Sequence, residues 1–170
     1  VHIDPVTGGV VKLVADKIIP PIIPPADTPW VKRFKFQSPM LTKFWGRPVY
    51  LGATVLLPRD YDRETMSYPV LYDQGHFSTG VPLRFDPEFK PSERQPYNIS
   101  IDWMKPEFPK MVVVTFQHPT PYFDDSYAVN SVNVGPYGDA ILQELIPEIE
   151  KRYRVIKAPW ARWLSGGSTG

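Results

Sequence analysis

The residues best suited to do chemistry are Gly166-Gly167-Ser168-Thr169-Gly170, which follow a short apolar run, Ala161 to Ser165. A strand that runs into G-x-S-x-G sets a serine on a sharp, strained turn, its hydroxyl projecting from the top of a sheet. Glycines two before and two after leave room where a Cβ would strike the strand or the helix that follows. A serine hydroxyl is a weak nucleophile at its free pKa and needs an adjacent base. The chain has three histidines, His2, His76 and His118, and all of them precede Ser168. The plain alternative is a small polar residue in a glycine-rich turn.

These residues need a scaffold, and the apolar patterning supplies one. Val31 to Gln37 alternates, with Phe34 and Phe36 on one face, and reads as a half-buried strand. Phe44 to Pro48 reads as a turn, and Val49 to Leu57 as a second strand, an antiparallel partner at a sheet edge. Tyr68 to Tyr72 and Met111 to Phe116 are short apolar runs that suit central, parallel strands, and Ala161 to Ser165 reads as a further buried strand. Pro136 to Tyr153 is the long helix. Ile141, Leu142, Leu145, Ile146, Ile149 and Tyr153 form its apolar stripe, and Pro147 predicts a bend inside it. The segments after the third and fourth strands, 73–80 and 117–127, hold His76, His118, Asp124 and Asp125. In an open parallel sheet, ligands bind beyond the carboxyl ends of the strands, so both segments and Ser168 should meet at one crevice.

Eighteen of the 21 prolines lie before residue 122, which predicts long irregular connections there. Residues 1–29 read as a proline-rich lead-in and 30–170 as part of one domain. Val10 to Ala15 could pair as a strand. The Ile-Pro run at 18–25 should be extended chain, either a strap across the domain or a neighbouring subunit, or a docking peptide for an aromatic groove. Residues 80–100 read as a surface excursion, with a short helix from Ile99 to Lys105. They contain an N-x-S sequon at Asn98, which matters only in a secreted eukaryotic protein. With a net charge of +1 and no basic block, nothing indicates a nucleic-acid partner. No run approaches the ~18 apolar residues of a membrane helix. Without cysteine and with widely spaced histidines there is no metal-ligand pattern, and no cofactor is expected. The chain starts at Val1 with no visible signal segment, so a processed or trimmed start is expected and the compartment stays open, secreted or periplasmic locations included.

The segments 68–77 (YPVLYDQGHF), 111–131 (MVVVTFQHPTPYFDDSYAVNS), 135–156 (GPYGDAILQELIPEIEKRYRVI) and 162–170 (RWLSGGSTG) together resemble the esterase branch of the α/β-hydrolase superfamily. That branch is similar to enterochelin esterase, esterase D and feruloyl or acetyl-xylan esterases. The resemblance covers roughly Val31 to Gly170. It implies an α/β fold: the N-terminal part of a mostly parallel sheet flanked by helices and led by an antiparallel strand pair. It also implies serine hydrolysis of an ester through an acyl-enzyme. Ser168 would be the nucleophile. Thr169 would offer one backbone N–H to the oxyanion, and the loop after the third strand the other, from Phe77 by position or else from His76. The sequence departs from the pattern at Gly75-His76, where many relatives read His-Gly. His118, Asp124 and Asp125 would face substrate; otherwise the histidines bond loop carbonyls and the aspartates order their loop.

In this superfamily the triad runs Ser, then Asp or Glu, then His, so the acid and base are expected after Gly170. A segment ending at its elbow should be inactive and prone to aggregate by itself. The expected partners are a small-molecule or carbohydrate-linked ester and the C-terminal remainder of the same domain, and a homo-oligomer is compatible. The competing reading is a non-catalytic α/β-hydrolase-like binding or scaffold module. A third option recruits His118 as an unusual base.

Overall fold

A computed structural model describes residues 14–18, 20, 23–123 and 125–167. Five strands form the main sheet: β1 (Val31–Gln37), β2 (Tyr50–Leu56), β3 (Val70–Gln74), β4 (Val112–Gln117) and, last in the chain, β7 (Arg162–Gly166). Between them, β5 (Asn130–Ser131) and β6 (Gly135–Pro136) form a small antiparallel pair. The sheet order is β1-β2-β4-β3-β7. β1 pairs antiparallel with β2, and β2 antiparallel with β4. β3 lies parallel between β4 and β7. The antiparallel leading pair and the parallel centre are as expected.

One face of the sheet buries Leu51, Ala53, Val55, Val70, Tyr72, Val112 and Val114 against helices. These helices are α1 (Pro39–Trp45) and a helical stretch built of α3 (Tyr137–Ala140), a π-helical turn (Ile141–Leu145) and α4 (Ile146–Arg152). Leu145 and Ile149 are fully buried there, each contributing about 1.5–3 kcal/mol of apolar burial. The bend expected at Pro147 takes the form of the π turn. Pro147 has no N–H to donate four residues back, and its ring crowds that carbonyl. The backbone widens just upstream, and Ile146 N–H bonds Ile141 O instead.

Between the first two strands, where only a turn at Phe44 to Pro48 was expected, the chain forms α1, which ends inside that turn. Ser38 caps it by accepting from Leu41 N at 3.1 Å, Pro39 opens it, and Gly46 ends it at φ 63°. The Ser38 hydroxyl donates to the Glu144 carboxylate, which also accepts from Met40 N at 2.9 Å. A side chain of the π turn thus completes the N-terminus of a helix a hundred residues earlier.

The excursion at 80–100 is more than surface. Phe85, and Trp103 in α2 (Ser100–Trp103), are buried against Val31, Leu56 and Val113. They cover the second sheet face, whose apolar residues would otherwise meet water. The link from β3 to β4 therefore crosses one face, and the link from β4 to β7 crosses the other. Such a reversal opens a crevice beyond the carboxyl end of the strands.

β7 is not buried as its sequence suggested. It is an edge strand of the described sheet, with Trp163 and Leu164 exposed. In the lead-in, the described residues before position 29 are irregular, and Val14, Ile18 and Ile23 are exposed, so these side chains make no strap on this domain. Most of the strand expected at 10–15 lies outside the described residues.

Candidate active site

The rim at the carboxyl end of β3 is set by register. β3 and β7 run in parallel with Asp73 opposite Ser165 and Gln74 opposite Gly166. The residues after Gln74 and after Gly166 therefore leave the sheet side by side, and a Cβ built on Gly75 would lie 3.9 Å from the Gly167 carbonyl oxygen. Ser168, Thr169 and Gly170 lie outside the described residues, as does Asp124.

A crevice of about 430 Å³ opens here, lined among others by Asp73, Gln74, Gly75, His76, Arg84 and Gly167. Phe77 does not line it. It lines a groove of about 660 Å³, shared with Tyr50, Gly52, Thr79, Gln117 and Pro119, and its ring meets the His118 ring edge-on at 6.2 Å. Both loops beside the crevice carry non-glycine residues in left-handed backbone, Leu83 and Arg84 at φ 54° and Tyr127 and Ala128 at φ 56° and 54°. Such residues cost of order 1–3 kcal/mol each unless the surroundings fix them. For the first loop the fixing group is the buried Asn98, whose amide donates to Arg84 O at 3.0 Å.

His118 leaves β4 on the same rim but is fully buried. The Gln74 amide NH₂ lies 2.8 Å from both His118 Nε2 and the Gly75 carbonyl oxygen. It donates to both, so Nε2 accepts and the proton sits on Nδ1, which donates to Ser126 Oγ at 3.0 Å. Both ring nitrogens are engaged within the protein. His118 therefore holds Gln74, and through it the start of the 75–80 loop, rather than opening onto the crevice. Burial pushes its pKa below the usual 6.5 against the pull of Asp125 and a backbone hydrogen bond.

This shift has a consequence for stability. Unfolded chain takes up a proton on His118 as the pH falls below about 6.5, while the folded site resists it. That contribution is therefore complete above pH 6.5 and lost as the pH falls toward the depressed value. The thermal midpoint should drop between pH 7 and 5, and His118→Gln should flatten that drop. An identical slope in the variant would show that His118 does not carry it.

Asp125 is the most connected side chain on the rim. One carboxylate oxygen accepts from Phe77 N at 3.1 Å and pairs with His76 Nδ1 at 2.9 Å. The other accepts from Tyr127 N at 2.7 Å. Burial alone would raise its pKa, but these three donors and nearby His118 together hold it below the ordinary carboxylate value. The Phe77 N–H, the first choice by position for the oxyanion, is thus bonded to Asp125. No sequence spacing signals this contact, which joins residues 48 apart. Among the described residues no group of three or more His, Cys, Asp or Glu is placed to hold a metal ion. No described helix is long and apolar enough to cross a membrane.

No family model matches the chain, and no curated protein does. Solved structures do. A ferulic acid esterase superposes with a TM-score of 0.57 at 23% identity, over 82% of this chain and 49% of its own. An S-formylglutathione hydrolase from Agrobacterium tumefaciens superposes with a TM-score of 0.51 at 14% identity, over 84% of this chain and 51% of its own. The chain thus spans about half the length of the structures it matches. The architecture it shares with these structures is the α/β-hydrolase fold, a mixed sheet with parallel strands flanked by helices.

Proposed function

We propose that residues 30–170 form the nucleophile-bearing part of a serine esterase. The observation that carries this reading is the β3–β7 register, which brings Gly166 and Gly167, the first two residues of the G-x-S-x-G motif, beside Gln74 and Gly75 at the carboxyl end of parallel strands. Ser168 Oγ gives up its proton to a base as it attacks the ester carbonyl carbon, and the carbonyl π electrons move onto oxygen. The Thr169 N–H and one from the 75–77 loop bind that oxyanion, the stabilisation that usually contributes most in acyl transfer. Collapse expels the alcohol, which takes up a proton, and leaves an acyl-serine that water then hydrolyses. The acid and base that move these protons come from outside residues 1–170, in keeping with the chain order Ser, Asp or Glu, His. The substrate is a small-molecule or carbohydrate-linked ester that enters the crevice above Gly167.

The test is covalent. In the full-length protein a fluorophosphonate probe should label Ser168, and Ser168→Ala should abolish the labelling. Labelling that persists in the variant sinks the assignment. Absence of labelling in the parent favours a non-catalytic binding module.

A further inference from the structure

Resting on the serine-esterase reading, we propose that Asp125 is a positioning residue that clamps the 75–77 loop, so that the His76 backbone N–H, not that of Phe77, meets the oxyanion. The Asp125 carboxylate grips two consecutive residues of the loop. It accepts from Phe77 N at 3.1 Å and pairs with the His76 ring at 2.9 Å, while Tyr127 N at 2.7 Å anchors its other oxygen. An N–H bonded to a carboxylate is not free to receive a developing oxyanion, which needs donors already aimed and unoccupied. The lining residues agree. His76 and Gly75 line the crevice that Gly167 also lines, whereas Phe77 lines a separate groove. Gln74 adds a second clamp, its amide donating to Gly75 O at 2.8 Å and to His118. The loop is thus held at 75 and at 76–77, with Gly75 lying against Gly167, and the His76 N–H is the next donor after that contact.

A rival role for the same contacts is a cap, with Asp125 occupying a site that substrate must clear. A second rival makes the His76 imidazole, already bonded to a carboxylate through Nδ1, the base itself.

These roles separate in the full-length protein. Asp125→Asn and Asp125→Ala are compared with His76→Ala for kcat and KM on p-nitrophenyl acetate, with active sites counted by fluorophosphonate titration so that unfolded protein does not enter the rate. A clamp predicts that both Asp125 variants lose about 10²-fold in kcat, the scale of a misplaced or missing oxyanion donor. KM should be unchanged, and fluorophosphonate labelling should slow in parallel. His76→Ala, which keeps the backbone N–H, should lose less. An unchanged or raised kcat in the Asp125 variants overturns the clamp, a rise being the mark of a cap. A loss in His76→Ala as large as in Ser168→Ala overturns it in favour of the imidazole as base. If the parent protein is not labelled at Ser168 at all, the esterase reading fails and this inference falls with it. If labelling is normal and the Asp125 variants behave as the parent does, only the clamp fails.

Discussion

On the serine-esterase reading proposed above, Ser168→Ala in the full-length protein should lower ester turnover by about 10⁴-fold or more, because removing the nucleophile of a serine hydrolase leaves only what binding and the oxyanion donors supply. His118→Ala should lose far less. Its imidazole is buried and both its nitrogens are bonded, to Gln74 and Ser126, so it supports the rim without a free lone pair to take the serine proton. Hydrolysis of p-nitrophenyl acetate by the two variants, each checked for folding, decides this. Equal losses, with no later histidine in the full-length chain, would return His118 as the base.

The largest effect expected on stability is that of Gly52→Val. Gly52 lies in the middle of β2, opposite Lys35 of β1. A Cβ there would collide with the Phe34 carbonyl oxygen and sit 3.2 Å from Lys35 Cα. Both obstacles are backbone, so relief requires parting a ladder of seven residue pairs. Overpacking of this kind costs roughly 1–3 kcal/mol when side chains can yield, and here they cannot. We expect about 3 kcal/mol, which for 150–250 residues lowers the thermal midpoint by about 6–12 °C. A midpoint within about 2 °C of the parent would mean that the β1–β2 ladder adjusts easily, against the geometry. Since the same strand floors the groove beside Phe77, the variant should also be checked for esterase rate.

What could be read from the sequence follows from where each signal resides. Val31–Gln37 was legible end to end, because Phe34 and Phe36 share one face of an edge strand between charged or polar residues. The helix over 137–152 was legible through its apolar stripe. Its π turn was not, because Pro147 announces a disturbance without saying whether the helix bends or widens. α1 was missed although Ser38-Pro39 and Gly46 are its start and stop signals; seven residues carry too little periodicity to outweigh Arg47-Pro48. The burial of Phe85 and Trp103 depended on which sheet face lacked a cover, and that is decided by topology. At the rim, residue types could nominate His76, Phe77, His118 and Asp125. Only the fold shows that Asp125 joins the first two and that His118 is enclosed.

Asn98 carries a conflict of timing. Its amide is enclosed at both ends: the nitrogen donates to Arg84 O, and the oxygen accepts from the Ser100 backbone and hydroxyl. In a secreted eukaryotic setting an oligosaccharyltransferase acts on a flexible, solvent-exposed acceptor; a sugar would replace one of the two amide hydrogens and set its bulk against the left-handed Leu83–Arg84 wall of the crevice, where Asn98 Nδ2 meets Arg84 O. Glycan transfer and folding would therefore compete for one atom. Whichever came first would hinder the other: a chain folded early keeps a bare asparagine, and a chain modified early must fit a sugar where the amide is now enclosed.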